Sequence, residues 1–293
     1  MKRYTDLHYM PITPRDEQWG IVCTTAGHQI VPPGSCYPPS GKHPSGYVFT
    51  KYSGRVLHEY QMVYIVEGEG WFESKHCHRT PVHAGTMLLL FPDEWHNYAP
   101  LKETGWKEYL IGFRGRYIDE RVENGFFSPE RPIIEIGNDI QVEEFYLEVL
   151  RHAEYEKSGF QLLISSIVLH LLGTIVFRQN ETRYESTDIA DKIEAAKQLM
   201  RAHVGDEQTP EQVARELGIG YSWFRRVFKQ YVGLSPQQYQ LQLRYLRARD
   251  LLTGSDMTIT EIAYDMGFSS VTQFSTFFSK HAGVSPRQFR QME

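Results

Sequence analysis

Apolar residues in the first part of the chain gather in short runs. From Gly46 to about Phe113 these are Tyr47-Val48-Phe49-Thr50, Tyr60-Gln61-Met62-Val63-Tyr64-Ile65-Val66, Gly70-Trp71-Phe72, Met87-Leu88-Leu89-Leu90-Phe91 and Tyr109-Leu110-Ile111-Gly112-Phe113. β-Branched and aromatic residues fill them, and Gly, Pro and Asp bound them, which is the signature of short strands joined by turns. Several such strands in succession predict a barrel or sandwich. After Pro132 the period becomes helical. Asp139 to Tyr155 places Ile140, Val142, Phe145, Leu147, Val149 and Leu150 along one broad face, and a second apolar segment, Phe160 to Phe177, follows Ser158-Gly159. The two predict a helical hairpin attached to the barrel. The polar run from Arg178 to Asp188 lacks periodicity and reads as an interdomain linker. The predicted organisation is multidomain α+β: a β-barrel over 1–132, a helical hairpin over 133–182 that serves dimerisation, a linker over 183–190 and an all-α domain over 191–293.

The last domain repeats itself at roughly fifty residues. Thr209-Pro210-Glu211-Gln212-Val213-Ala214-Arg215-Glu216-Leu217-Gly218 corresponds to Thr258-Ile259-Thr260-Glu261-Ile262-Ala263-Tyr264-Asp265-Met266-Gly267, and Gly233-Leu234-Ser235-Pro236 to Gly283-Val284-Ser285-Pro286. Each copy opens with a capping box, Thr209 with Gln212 and Thr258 with Glu261. Ala214 and Ala263 stand four residues before Gly218 and Gly267, small enough for a second helix to approach, and the Gly supplies the turn. That is the chemistry of a helix-turn-helix. In the second helix of each copy Phe224, Val227 and Phe228, or Phe274, Phe277 and Phe278, recur at i, i+3 and i+4 and face the core. Ser222, Arg225, Arg226 and Lys229, or Val271, Thr272, Ser275 and Thr276, are left outward, placed to enter a major groove. Between the copies a helix beginning at Ser235-Pro236 and running to about Leu252 makes a rigid spacer.

Charge agrees with this division. The whole chain is net −5 at pH 7, but residues 189–293 hold 13 Lys and Arg against 11 Asp and Glu. A mildly basic tail behind an acidic front is compatible with nucleic-acid binding in the tail, and the placement of the bases carries more than their number. Three cysteines, Cys23, Cys36 and Cys77, are too few for a disulfide framework and favour a reducing compartment. The N-terminal residues lack a secretory hydrophobic region. Phe160 to Phe177 is interrupted by Gln161, Ser165, Ser166 and His170 and falls short of the ~20 apolar residues of a membrane span, so a buried or subunit-interface helix is expected and the protein is placed in the cytoplasm.

At the paired units, with Ala214 and Gly218, Ala263 and Gly267-Phe268, Phe278-Ser279-Lys280-His281 and Gly283-Val284-Ser285-Pro286, the chain resembles AraC/XylS-type transcriptional regulators. The front half is similar to the cupin-like effector domain of that family through Tyr64-Ile65-Val66-Glu67-Gly68-Glu69-Gly70 and Phe91-Pro92-Asp93-Glu94-Trp95-His96-Asn97-Tyr98. The resemblance implies a sequence-specific regulator of double-stranded DNA, commonly an activator, that responds to a small-molecule effector, with a sugar the first candidate. It implies a homodimer and contact with RNA polymerase. By family correspondence Ser222, Arg225 and Arg226 fall where the first unit contacts bases, with Arg226 the strongest candidate for a bidentate contact to guanine. In the second unit Thr276 stands where the family often has Arg, which leaves Val271, Thr272 and Thr276 to read bases through weaker or methyl contacts. Lys229, Arg244, Lys280 and His281 are assigned to the DNA backbone.

For the effector, Tyr64, Trp71, Trp95, His96, Tyr98, Trp106 and Glu108 offer aromatic faces and hydrogen-bonding tips suited to a sugar-like ring. In sugar-responsive family members pocket residues fall at positions matching Tyr98 and Glu108, with an Arg near Arg55. The proposed effector set is Arg55, His96, Tyr98 and Glu108. His58, His76, His78, His83, His96 and Cys77 raise the question of a metal. A metal cupin needs His-x-His on its first strand, whereas His58-Glu59-Tyr60 provides one His and His76-Cys77-His78 falls at a hairpin tip, so neither metal nor cofactor is expected and the chain is not read as an enzyme. Two alternatives stay open: a ligand-independent regulator whose barrel is a dimerisation scaffold, and a metal-dependent cupin enzyme with a vestigial DNA-binding tail.

Overall fold

A computed structural model describes residues 5–38, 54–184, 188–205 and 208–292, so the strand expected at Tyr47–Thr50 lies outside the described residues. The chain divides into two compact units, Met1–Arg183 and Tyr184–Glu293. In the first unit the strands are β1 (Thr5–Tyr9), β2 (Val22–Val31), β3 (Arg55–Val56), β4 (Tyr60–Ser74), β5 (Thr80–His83), β6 (Thr86–Leu90), β7 (Trp95–Pro100), β8 (Trp106–Arg114) and β9 (Ile133–Glu135), with short helices α1 (Pro14–Glu17) and α2 (Arg116–Glu123). Their main path of pairing runs β1-β2-β8-β4-β6-β9, and β7 joins β3 to the far half of β4.

The central strands are apolar on both faces, and the packing shows why. Val63, Ile65, Leu88, Leu90 and Trp106 point into the barrel with Phe72, Val82 and Tyr98. The alternate residues Met62, Tyr64, Met87, Leu89, Tyr109, Ile111 and Phe113 point the other way, into a second core roofed by helices. The two strands expected at Tyr60–Val66 and Gly70–Phe72 are one bent strand. β4 pairs with β6 through Gln61–Tyr64 and with β8 through Tyr60–Gly68, slipping register at Ile65/Glu67, then pairs with β5 from Glu69 and with β7 from Gly70 on. The bend depends on Gly68, at φ +88°, where a Cβ would stand 2.1 Å from the Gly105 carbonyl oxygen.

The roof is the expected hairpin, α3 (Ile140–Tyr155) and α4 (Phe160–Tyr184). Asp139 caps α3, its side chain accepting from the backbone N–H of Gln141 at 2.9 Å and of Val142 at 3.4 Å. The buried side of α3 is Val142, Tyr146, Val149, Leu150 and Ala153. Ile140 and Leu147, expected on that face, are 77% and 42% exposed, because two residues before Val142 lies roughly 200° around the helix. Leu150 of α3 and Ile167 and Leu171 of α4 are buried in the core of this same unit and are not free for a second copy, whereas Leu163 is exposed. By length and composition α4 is apolar enough to cross a bilayer, but Ile164, Val168, Leu171, Leu172 and Ile175 pack into the core. Its buried Gln161 is satisfied by the Cys23 N–H and by the carbonyls of Cys23 and Pro11.

The polar run from Arg178 onward, expected to be linker, is helical through Tyr184. Arg178 holds it by donating from Nε (3.1 Å) and Nη2 (2.6 Å) to Asp139 Oδ2 and from Nη1 to Glu181 (2.7 Å). Ion pairing replaces apolar period there. The next helix, α5 (Ile189–Ala202), begins five residues beyond Tyr184.

The second unit continues with α6 (Pro210–Glu216), α7 (Tyr221–Val232), α8 (Pro236–Gly254), α9 (Ile259–Asp265), α10 (Val271–Ala282) and α11 (Pro286–Met292). The expected capping boxes form at Thr209 with Gln212 and Thr258 with Glu261, and a third forms at Ser235 with Gln238. Phe224, Val227 and Phe228 of α7 pack with α5 and α6 in one core. Phe274 and Phe278 of α10 pack with α9 and the end of α8 in another. α8 passes from one core to the other over 19 residues, ~28 Å at 1.5 Å per residue.

Candidate functional site

Polar side chains interrupt the barrel-facing rows of three neighbouring strands. Gln29 on β2 pairs with Glu108 on β8, Gln61 stands on β4, and Arg55 and Tyr98 come from β3 and β7. They converge on a small cavity, which Thr25, Tyr9, Tyr37, Pro38 and Leu110 also line. Arg55 organises the group. Its Nη2 donates to Gln61 Oε1 and to the Tyr98 hydroxyl, both at 3.0 Å, and its Nε faces His96 Nε2 at 3.2 Å.

Glu108 is buried at 1% exposure. Burial pushes its carboxyl up to about 8, against the lowering pull of Arg55 and of a hydrogen bond from Tyr37. At neutral pH it is therefore largely a carboxylic acid, and its Oε2 has no hydrogen-bond partner among the described residues. A buried oxygen of this kind is costly to leave unmet and suits a ligand hydroxyl. His96 is buried too. Desolvation, with the Arg55 charge next, lowers it to about 3, so it is a neutral imidazole. Its Nδ1 lies 3.1 Å from the Glu94 carbonyl oxygen, which assigns the proton to Nδ1 and leaves Nε2 to accept from Arg55. Burial, moderated by Arg55, raises the Tyr98 phenol to about 12.

The structure thus brings Arg55, His96, Tyr98 and Glu108 together, although His96 backs Arg55 and does not line the cavity. Of the other aromatics, Trp106 packs against Tyr98 at 5.9 Å. Tyr64 faces the helices, donating to the Gly137 carbonyl, Trp71 lies under Arg79 outside the barrel core, and Trp95 is 36% exposed. Gln29, Gln61, Thr25 and Tyr37 were missed. Gln29 and Gln61 carried the same signal as Glu108, a polar residue in a strand's inward row, whereas Tyr37 sits in a Pro- and Gly-bearing loop with no pattern to mark it. The histidines pair off separately: His58 with Asp93, His76 with Glu94 and His83 with Glu135. Among the described residues no three His, Cys, Asp or Glu groups gather as a metal site would require.

In the second unit Ser222, Arg225, Arg226 and Lys229 are exposed along α7, and Thr272, Thr276, Lys280 and His281 along α10. Val271, assigned to base contact, is half-buried against the α10 core. Arg244, assigned to the DNA backbone, lies inward: its Nε donates to the Val204 carbonyl at 3.2 Å and its guanidinium lies 6.0 Å from the Phe268 ring centre. His281 stacks on Tyr245 at 5.6 Å and uses Nδ1 on the Phe277 carbonyl. The turn of the second unit needs Gly267, at φ +73°, where a Cβ would come within 2.5 Å of the Gly205 carbonyl oxygen.

A barrel with a small polar cavity and a domain of two helix-turn-helix units define a DNA-binding regulator with a ligand-binding domain. Comparison with known proteins agrees. The family described as AraC-like ligand binding domain matches residues 43–172 and the one described as helix-turn-helix domain matches 213–292. The HTH-type transcriptional activator RhaS of Salmonella arizonae is 34% identical over 124 residues, 42% of this chain and 45% of the relative. The match thus spans under half the length of that relative. A transcriptional regulator with an AraC-type DNA-binding domain from Chromobacterium violaceum is 34% identical, covering 35% of this chain and 91% of that one with a TM-score of 0.33. The DNA-binding domain of AdpA, solved with a target DNA, is 26% identical, covering 34% and 91% with a TM-score of 0.33. The chain belongs to the AraC/XylS-type transcriptional regulators, and such proteins are regulators, not enzymes.

Proposed function

We propose that this chain is a cytoplasmic, homodimeric transcriptional activator whose effector is a small polyhydroxylated molecule, a sugar being the first candidate. The carrying observation is the buried Glu108 carboxyl, whose Oε2 has no partner among the described residues, set beside Arg55, Tyr98, Gln29 and Gln61 in the barrel cavity. A sugar offers several hydroxyls to such a group and an apolar ring face to the aromatics. Residues 1–182 hold effector and partner subunit, and 191–293 hold DNA, with RNA polymerase the downstream partner. The name of the related activator from Salmonella arizonae supports activation. In the DNA-binding part, Arg226 with Arg225 and Ser222 reads bases from the first unit, Thr272 and Thr276 with Val271 read from the second, and Lys229, Lys280 and His281 meet phosphates.

The dimer is supported by the outer face of α4. Leu163, Ser166, His170, Gly173 and Phe177 are all exposed and recur at alternating steps of three and four, the spacing of a two-helix seam. Leu163→Arg is expected to yield monomers by light scattering. The effector is tested by thermal shift of the full chain against monosaccharides and related metabolites. A ligand at 100 times its Kd stabilises by about 2.7 kcal/mol, and Glu108→Gln should abolish or sharply reduce the shift. No shift from any compound would return the barrel to the scaffold reading.

A further inference from the structure

From Pro32 to Cys36 every residue is exposed, and then Tyr37 turns inward. Its ring lies edge-on to Trp106 at 5.7 Å and tilted against Tyr98 at 6.1 Å. Its hydroxyl is hydrogen-bonded to the carboxyl of Glu108 and to the Tyr98 hydroxyl. Pro38 follows it to the cavity wall. With this ring in place the cavity holds only about 50 Å3, too little for a sugar ring. The groups that a ligand would use are the ones Tyr37 occupies, and Glu108 Oε2 and Trp106 Nε1, both buried, have no partners among the described residues.

We infer that Tyr37 is an internal ligand, filling the effector cavity in the resting protein, and that effector binding is an exchange in which the incoming molecule takes over its contacts with Glu108, Tyr98 and Trp106. This rests on the effector reading above and extends it. The effector must bring a hydroxyl to the Glu108 carboxyl and a ring face to Trp106, and its apparent affinity is lowered by the occupancy of Tyr37, since binding competes with a contact inside the same chain. Three residues before Tyr37 the loop is tethered by Gly34 N–H donating to the Lys102 carbonyl at 2.7 Å.

The test uses 4-methylphenol, the tyrosine side chain as a free molecule, with the full chain in a thermal-shift titration. Tyr37→Ala should lower the Tm, and 4-methylphenol should raise it again, saturably, with little effect on the parent. Toluene, which lacks the hydroxyl, should bind the variant at least fivefold more weakly. Tyr37→Phe keeps the ring and drops the hydroxyl bonds, so it should bind 4-methylphenol at least threefold more tightly than the parent does, and it serves if Tyr37→Ala does not fold. Equal response of parent and variants, or none in either, overturns the proposal. A monosaccharide panel runs beside it: a sugar that binds the parent should bind Tyr37→Phe more tightly, and one that binds both alike also overturns it. If no monosaccharide binds either form, the sugar reading fails, while the 4-methylphenol result still decides what Tyr37 does.

Discussion

The opposed shifts of Glu108 and His96 make the stability of the first unit depend on pH in a form that one substitution should invert. Glu108 rises from its ordinary 4.5 to about 8. Its folded form holds a proton that the unfolded chain has released, so its stabilising contribution is full below 4.5 and is lost as pH climbs to 8. His96 falls from 6.5 to about 3. The unfolded chain then binds the extra proton, and stability is gained as pH climbs from 3 to 6.5. Each acts with a slope of about 1.4 kcal/mol per pH unit. Between 4.5 and 6.5 the two cancel and the profile from this pair is flat. Above 6.5 Glu108 acts alone, and about 2 kcal/mol disappears by pH 8. Glu108→Gln, nearly the same shape, should remove that falling limb and let stability rise by about 1.4 kcal/mol per unit from 4.5 to 6.5, where His96 is now unopposed. Urea unfolding followed by tryptophan emission measures it, since Trp19, Trp71, Trp95 and Trp106 lie in the first unit and only Trp223 in the second. The difference between parent and variant isolates Glu108 from the other titrating groups. Parallel profiles across pH 4.5–8 would refute the account of the pocket as a dry site holding a neutral acid.

Three further outcomes are expected. Arg226→Ala should relax preference at one base position, by about 1–3 kcal/mol, whereas Lys280→Ala should weaken all sites alike and lower the salt slope by ~0.9; site selection and binding across a salt series separate the two. Gly267→Ala should cost about 2–3 kcal/mol, because it adds a contact with Gly205 to an unfavourable φ. Gly218→Ala, at φ +66° but facing open space, should cost only about 1–2 kcal/mol, and calorimetry that finds the two equal would remove Gly205 from the argument. Asp139→Ala should destabilise the first unit by about 1 kcal/mol through the lost cap, with a further part below ~1 kcal/mol from its half-exposed pair with Arg178, readable as a fall in Tm that Arg178→Ala repeats only in its smaller part.

The helix-turn-helix repeat was legible because its signals are local. A capping Thr, a small residue and a Gly at fixed offsets are set by backbone geometry and do not wait for the rest of the chain. The barrel was legible only where strands are apolar on both faces. β2, Val-Cys-Thr-Thr-Ala-Gly-His-Gln-Ile-Val, escapes the strand pattern because its inward Thr25 and Gln29 face the cavity, so the residues that make the site also dilute the strand signal. The broad face drawn on α3 failed for a related reason: Ile140 and Leu147 are apolar, but only the bound partner surface decides which side of a helix is inside. Arg244 shows the same limit from the charged side. A base on a helix of a basic domain reads as a phosphate contact until the Val204 carbonyl and the Phe268 ring are seen to claim it.

The contact of Gly205 with the Asp265–Gly267 turn has a consequence for the DNA. Backbone meets backbone there with no room for a Cβ on either side, and Arg244 from the middle of α8 fastens the same corner through Val204. The two proposed recognition helices, α7 and α10, are therefore the jaws of a caliper locked at one opening. A duplex offers successive major grooves ~34 Å apart, and each inserted base pair turns the second by ~34°. A locked caliper cannot follow that rotation, so an operator that gains or loses one base pair between its two half-contacts keeps every letter the protein reads and still falls out of phase with it.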